Sequence, residues 1–516
     1  MATEHRETER KYQADSAVLT LPPLGDLPQV GSVSGAEKET LEAEYYDTGD
    51  LRLIRSGLTL RRRRGGADEG WTLKLPVNGD TRDELWLPLG ERDSAVPAEL
   101  AGLVRAFTRG EPLQPVAHIT TVRRRTVLRD AAGASLAEVV ADDVSAQSLG
   151  ASTTISGWQE AEIELTGGDL RLLDAADRRL RSGGLRRAEH SAKLERALAD
   201  RLPLPDPAGR LGLKSSSAAV LLAYLREQSG VMKAYDPLVR RDEPDSVHQM
   251  RVASRRLRST LQSFSSILPS PATRPLRDEL RWLTGVLGES RDAEVLAERL
   301  ETLVRQTPDE LVMGPVAARI QAHFAPLRAA ARQAVIETLD GERYVMLLDD
   351  LERLLNDPPL TAAAKEPAGD ELPKAVARAY RRVQTRMRRA RHAESGGDLE
   401  VALHEARKAA KRARYAAEVL RPVADRPARR FGRQMKDLQS VLGEHQDAVI
   451  TRQCVRDLAV RAALAGENAF AYGVMYETEA TRARQLRDQA WPTWKQASAS
   501  SGPGGVWPPP RRRSCL

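Results

Sequence analysis

The stretch HQMRVASRRLR, His248 to Arg258, returns as HEARKAAKRAR, His404 to Arg414, after 156 positions (404 − 248). Each copy sets a histidine at its head and basic residues 3, 7, 8 and 10 places further on. An α-helix turns by about 100° per residue, so offsets 0, 3, 7 and 10 fall within an arc of about 80°. His248, Arg251, Arg255 and Arg258 therefore share one face, as do His404, Arg407, Lys411 and Arg414. Met250, Leu257, Leu261 and Phe264 occupy the opposite side of the first helix, and Ala406, Ala409, Ala413 and Leu420 that of the second, the pattern of a helix anchored to a core. Each helix is predicted to present a cationic stripe to something other than the core.

The echo continues downstream. LTGVLGESRDAEVL (Leu283 to Leu296) is answered by LQSVLGEHQDAVI (Leu438 to Ile450), and Arg281 and Lys436 precede the shared Leu-Gly-Glu-x-x-Asp element by the same distance. A repeat this long implies a duplicated helical unit. One basic helix is ordinarily a solvated face, but the same offsets twice, with few acids between, point to anion binding. The candidates are the two stripes together with Arg256, Arg281, Lys408, Arg412 and Lys436.

At 516 residues the chain exceeds one ordinary core, so two or more domains are expected. Lys and Arg outnumber acids by 79 to 72, a net +7 that hides local segregation and suggests polyanionic partners. Cys454 and Cys515 lie far apart, the start MATEHRETERK has no apolar leader, and runs such as AAVLLAYL are too short to span a bilayer. A soluble, cytoplasmic, disulfide-free protein with no membrane partner is expected.

In the N-terminal third, side chains alternate faces along a strand, so Glu7, Glu9 and Lys11 point the same way. Arg61 and Arg63, Thr72 and Lys74, Arg82 and Glu84, Arg123 and Arg125, Glu138 and Asp142, and Glu160, Glu162 and Glu164 repeat the habit. Between them stand Leu60, Leu73, Leu75, Leu85, Val139, Ile163 and Leu165. Charges on one strand alone would mark an exposed edge. Repeated over many strands, they predict an antiparallel β structure with a charged inside and a helix-covered outside, most economically a closed barrel. Carboxylates hold Mg²⁺ or Mn²⁺ through oxygen, and Arg and Lys clamp phosphate oxygens. Together they suit a short polyphosphate and a metal-activated water. No Walker sequence, zinc-type Cys/His spacing or nucleophile elbow accompanies them.

Glu7-x-Glu9-x-Lys11, Tyr45-Tyr46-Asp47-Thr48, Leu60-Arg61-x-Arg63, Lys74, the Glu160/Glu162/Glu164 strand and Ser191-Ala192-Lys193 resemble a CYTH domain, the triphosphate tunnel metalloenzyme fold, over about residues 1–200. The resemblance implies that Glu7, Glu9, Glu160 and Glu162, with Asp142 and Glu164, form the metal side, and that Lys11, Arg61, Arg63, Lys74, Arg123 or Arg125, and Lys193 grip phosphate. The catalytic set would be Glu7, Glu9, Lys11, Glu160 and Glu162. The run Arg123 to Arg125 leaves the register open by one, and of Asp142 and Asp143 one faces inward.

LPLPDPAGRLG beyond Arg201 breaks regular structure and marks a linker over 201–213. From Lys214 apolar periodicity near 3.6 predicts an all-helical domain over 214–495, with halves about 214–355 and 374–495 joined by a loop from Asn356 to Pro373, and a disordered tail over 496–516. The paired His-x-x-Arg helices make this part resemble a CHAD domain. That resemblance implies binding of long-chain inorganic polyphosphate along a basic groove, and association with polyphosphate granules. His248 and His404 are read as phosphate hydrogen-bonding groups, with metal ligation or orientation of nearby arginines as alternatives. The expected whole is an α+β multidomain protein, a β-barrel tunnel followed by a two-repeat helical bundle. It would hydrolyse inorganic tripolyphosphate with Mg²⁺ or Mn²⁺ and hold longer polyphosphate. A catalytically idle polyphosphate-recruiting module and an adenylate cyclase are the alternatives. Aromatics make up 4% of the chain and are hardly interleaved with the repeated basic positions, which argues against nucleic acid.

Overall fold

The computed structural model describes residues 2–14, 19–90, 95–150, 152–202, 211–394 and 396–500. The chain divides into two compact units, Met1–Pro207 and Ala208–Leu516. Most of the linker expected at 201–213, and residues 501–516 of the tail with Cys515, lie outside the described residues.

The first unit contains β1 (Thr3–Ala14), β2 (Ser32–Val33), β3 (Glu37–Asp47), β4 (Thr59–Arg64), β5 (Gly70–Asn78), β6 (Thr81–Leu87), β7 (Gln114–Arg129), β8 (Ser135–Ser148), β9 (Thr154–Leu165) and β10 (Leu185–Arg187). Short helices α1 (Arg52–Arg55), α2 (Ala98–Leu103), α3 (Arg105–Thr108) and α5 (Lys193–Ala197) and the longer α4 (Leu170–Ser182) accompany them. The order β1-β6-β5-β4-β3-β7-β8-β9 closes when β9 pairs with β1, all antiparallel, so eight strands form the expected barrel. Closure leaves these strands no open edge. The pleat turns one set of side chains inward and the other outward, where Leu60, Leu73, Leu75, Leu85, Val139 and Ile163 are buried and Leu165 half-buried.

Helix α4 provides part of that cover. Asp169 caps its start by accepting from Arg171 N and Leu172 N, and Leu172, Leu173, Ala176 and Leu180 form one cluster with Val139, Ala161 and Ile163. Burying a leucine in such a seam stabilises by about 1.5–3 kcal/mol. Asp47 is fully buried and accepts from Thr48 N, Leu53 N and Ile54 N at 2.7, 2.9 and 3.0 Å. Its place in the Tyr45-Tyr46-Asp47-Thr48 motif is thus a cap on α1. Around α5, Ala192, Leu194 and Leu198 pack with Ala43, Tyr45 and Ile119.

The second unit is helical: α6 (Ser217–Arg240), α7 (Ser246–Ser263), α8 (Ser270–Gln306), α9 (Val316–Asp340), α10 (Glu342–Asn356), α11 (Ala368–His392), α12 (Gly397–Glu418), α13 (Asp425–Leu464) and α14 (Phe470–Ser500). Helices α6 to α10 form the first half and α11 to α14 the second. The halves meet through α6 on α11, α7 on α12 and α8 on α13.

Two expectations need correction. The loop between the halves is shorter than 356–373, because α11 begins at Ala368 and runs through Pro373, whose missing N–H removes one hydrogen bond near the helix start. The tail is not irregular from 496: α14 continues to Ser500, with Ala497 buried against its neighbours.

Candidate functional sites

The barrel lumen collects Glu7, Glu9, Lys11, Arg61, Arg63, Lys74, Arg123, Glu162, Glu164 and Lys193, with Arg82 and Glu84 on the wall. Asp142 and Glu160 adjoin it through Lys193. Arg123 donates twice to Asp142, at 2.9 and 2.8 Å, and approaches Glu162 at 3.3 Å. That pairing fixes the register left open in the sequence: Arg124 and Asp143 are exposed, while Arg123 and Asp142 face inward. Arg125 shares their face but is held by Glu37 and Glu138 at 2.9 and 3.0 Å, and is not among the residues lining the lumen.

Asp142, Glu160 and Glu162 are buried, and one oxygen from each lies within 4.8 Å of the others. Lys193, brought in at the head of α5, places Nζ 2.9, 2.7 and 2.8 Å from them. Trp158 Nε1 donates to Glu160 Oε2 at 2.6 Å, and Glu160 Oε1 takes the Lys193 ammonium. Three buried, converging carboxylates fit a hard divalent cation bound through oxygen. Of the other carboxylates expected on the metal side, Glu7 pairs with Lys74 at 2.6 Å, and Glu9 with Lys11 at 3.1 Å, the same ammonium that reaches Glu162.

Opposite charges in the lumen shift one another. Burial pushes the Glu162 carboxyl up, but Lys11, Lys193 and Arg123 outweigh it and hold it well below the usual range. Burial works against the Lys193 ammonium, yet Asp142, Glu160 and Glu162 raise it well above a free lysine. Burial also opposes ionisation of Glu84, but Lys74 and Arg61 bring it down to about 2. Glu164 goes the other way: burial, reinforced by Glu7, Glu9 and Glu84, lifts it to about 8. A carboxyl raised in the folded state contributes stability that is complete below its unfolded value of about 4.3 and is lost as pH rises through about 8. Glu164→Gln is expected to raise the melting temperature of the metal-free barrel at about pH 9 and to give no gain at about pH 4. Equal effects at both pH values in thermal melts would contradict this.

In the helical unit both stripes are formed. Met250, Leu257, Leu261 and Phe264 are fully buried beneath the first; beneath the second the buried residues are Ala406, Ala410, Ala413 and Leu420, whereas Ala409 is half-exposed toward a different groove. The stripes are near enough to repel each other. Burial, then Arg255, Arg407, Arg251 and Arg414, lower the Lys411 ammonium to about 7. Burial with neighbouring cations also lowers His248 and His404.

The Leu-Gly-Glu-x-x-Asp element, unexplained by the sequence, serves the arginine at offset 3. Arg251 lies along Gly288 and reaches Asp292 at 2.9 Å; Arg407 lies along Gly443 and approaches Asp447 at 3.7 Å. A Cβ on either glycine would sit 3.0 or 3.2 Å from the guanidinium.

Other candidates are placed differently. An offset of 8 turns a residue by about 80° from the head of the stripe. Arg256 accordingly pairs with buried Glu418 at 2.9 Å, and Arg412 lines the groove that Ala409 faces. Lys408 pairs with Glu405 at 2.9 Å in that groove. Arg258 lies within repulsive range of Arg281, which pairs with Asp278 at 2.9 Å, and Lys436 is exposed on α13. Arg414 stands 3.4 Å from Glu418. Among the described residues no helix is long and apolar enough to cross a membrane.

A family model for the CYTH domain matches residues 5–192, and one for the CHAD domain matches residues 223–456. Over 502 residues the chain is 37% identical to an uncharacterized protein of Mycobacterium tuberculosis strain H37Rv, covering 94% of this chain and 95% of that one. The CHAD domain from the plant Ricinus communis is 25% identical, with a TM-score of 0.46 over 57% of this chain and 96% of its own. The putative adenylyl cyclase HpAC1 from Hippeastrum, reported to have a dominant triphosphatase activity, is 16% identical, with a TM-score of 0.23 over 39% of this chain and 98% of its own.

Proposed function

The chain belongs to the family in which a CYTH domain is followed by a CHAD domain, and from that premise we propose that its barrel hydrolyses inorganic tripolyphosphate while its helical unit holds long-chain inorganic polyphosphate. The observation that carries the reading is the sorting of charge. Carboxylates and cations meet inside one closed lumen, whereas cations predominate along the paired stripes.

In the barrel, Asp142, Glu160 and Glu162 would hold Mg²⁺ or Mn²⁺, with Glu7, Glu9 and Glu164 on the neighbouring wall. When bound, such a metal supplies a Lewis acid for phosphoryl oxygens and lowers the pKa of a water. Lys11, Arg61, Arg63, Lys74 and Arg123 would grip the non-bridging oxygens and neutralise charge that spreads over them in the transition state. Lys193, which neutralises the three carboxylates, would turn to the phosphates when a metal takes over that charge.

Incubation of the full chain with tripolyphosphate and Mg²⁺ or Mn²⁺, beside ATP, tests the reading. Phosphate release from tripolyphosphate is expected. Release of pyrophosphate from ATP would instead identify a cyclase, and no turnover with polyphosphate binding intact would leave a recruiting module.

Polyphosphate should also recharge Lys411. A base depressed to about 7 in the free protein and raised by a polyanion takes up a proton on binding, so affinity falls as pH rises from about 7. Calorimetry at about pH 8 in two buffers of different ionisation enthalpy should show uptake of up to about one proton. Lys411→Arg, charged throughout this range, should abolish it; undiminished uptake in that variant would assign the proton elsewhere.

A further inference from the structure

The helical unit carries a second cationic surface, which the duplicated stripes do not explain. Arg378, Arg382, Arg386 and Arg389 follow one another along α11 with Arg381 beside them. Lys408 and Arg412 of α12 face them across an open groove of about 650 Å³, whose lining contains one acid, Glu405. Arg386 and Lys408 share that acid at 3.8 and 2.9 Å, while Arg381, Arg382 and Arg389 are exposed. Like charges four apart on a helix repel. Burial, followed by Arg382 and Arg386, lowers the Arg412 guanidinium in spite of Glu405.

Among the described residues the cationic α11 wall of this groove has no equal on the matching helix of the first half. Helix α11 carries eight Lys or Arg in 25 residues, whereas α6, its counterpart before the first stripe, carries three in 24. Duplication therefore accounts for the stripes and not for this surface. The two surfaces adjoin through Arg412, which lines the groove and also repels Arg258 of the first stripe.

We propose that the α11–α12 groove is a second track for long-chain inorganic polyphosphate, engaged by the same polymer that occupies the stripes. The inference rests on the polyphosphate reading above. The lining contains guanidinium, ammonium and small side chains and no aromatic residue, so it offers phosphate oxygens many donors and offers bases no stacking platform. One polymer on two adjoining tracks gains avidity that a short chain cannot.

The test uses the full chain and a triple variant, R381Q/R382Q/R389Q, titrated over a salt series with long-chain polyphosphate, tripolyphosphate and single-stranded RNA at matched phosphate. The expected result is an affinity for the long chain lowered by about tenfold or more, a loss that tripolyphosphate does not share. The salt slope should fall by about 2, as for three lost single-strand contacts. R412Q, on the facing helix, should move in the same direction, and circular dichroism should report unchanged helicity. Unchanged long-chain affinity and slope in both variants would overturn the groove. So would an RNA affinity that exceeds that for polyphosphate and falls in the triple variant. If the unaltered chain binds no polyphosphate, the proposed function fails with it, an outcome distinct from failure of the groove alone.

Discussion

Glu162→Gln should lower tripolyphosphate hydrolysis by at least about 100-fold while the chain still retains long polyphosphate. Glu162 is the hub of the lumen, with Lys11 at 2.5 Å, Lys193 at 2.8 Å and Arg123 at 3.3 Å. Those cations keep it ionised, as a metal ligand must be. The amide keeps the shape and removes the charge. Removing one partner of a buried pair is destabilising when it strands a charge, but here Lys11 keeps Glu9, Lys193 keeps Asp142 and Glu160, and Arg123 keeps Asp142. The barrel should therefore still fold. Phosphate release, polyphosphate retention and a thermal melt on one preparation decide the matter. Unimpaired hydrolysis would remove Glu162 from the site, and loss of both functions in a folded variant would contradict their division between the units.

Arg255→Glu combined with Lys411→Glu should have the converse effect, weakening long-chain polyphosphate binding by at least about 100-fold at moderate salt with hydrolysis persisting. The two residues occupy the same offset in the two repeats and repel each other. That opposition disfavours the empty protein and is relieved by an anion between them. Reversal turns a cationic wall into one where the polymer meets like charge, which costs more than a lost contact. Retention on immobilised polyphosphate over a salt series reads the effect, and an unchanged elution position would refute the role of the stripes.

The barrel was legible because a strand has period two. Glu7, Glu9 and Lys11, and later Glu160, Glu162 and Glu164, could share a side only if the chain were extended, and alternating leucines told which side met the core. Which arginine of 123 to 125 turned inward was not legible. Asp142 decides it from another strand, and strand pairing is not a local property. The gathering of Asp142, Glu160 and Glu162 around one ammonium was hidden for the same reason, since it depends on Lys193 arriving from a helix after the last barrel strand.

In the helical unit the stripes followed from angular arithmetic alone. The same arithmetic, applied to offset 8, sets Arg256 and Arg412 off that face. Arginines on α11 read locally as the polar face of an amphipathic helix. Only the approach of α12, with Lys408 and Arg412, turns that face into a groove. Pro373 argued for a loop, but packing of Leu372, Val376 and Val383 in the core outweighs one missing backbone hydrogen bond.

Gly288 and Gly443 act as spacers by omission. The guanidinium of Arg251 or Arg407 lies so close that a methyl group on the glycine would press on it at 3.0 or 3.2 Å, so the bare backbone sets how far the charged tip stands out from the wall. A single carbon there would push the tip outward by a few tenths of an ångström. The reach of the two matched arginines is thus written in two residues that carry no side chain at all.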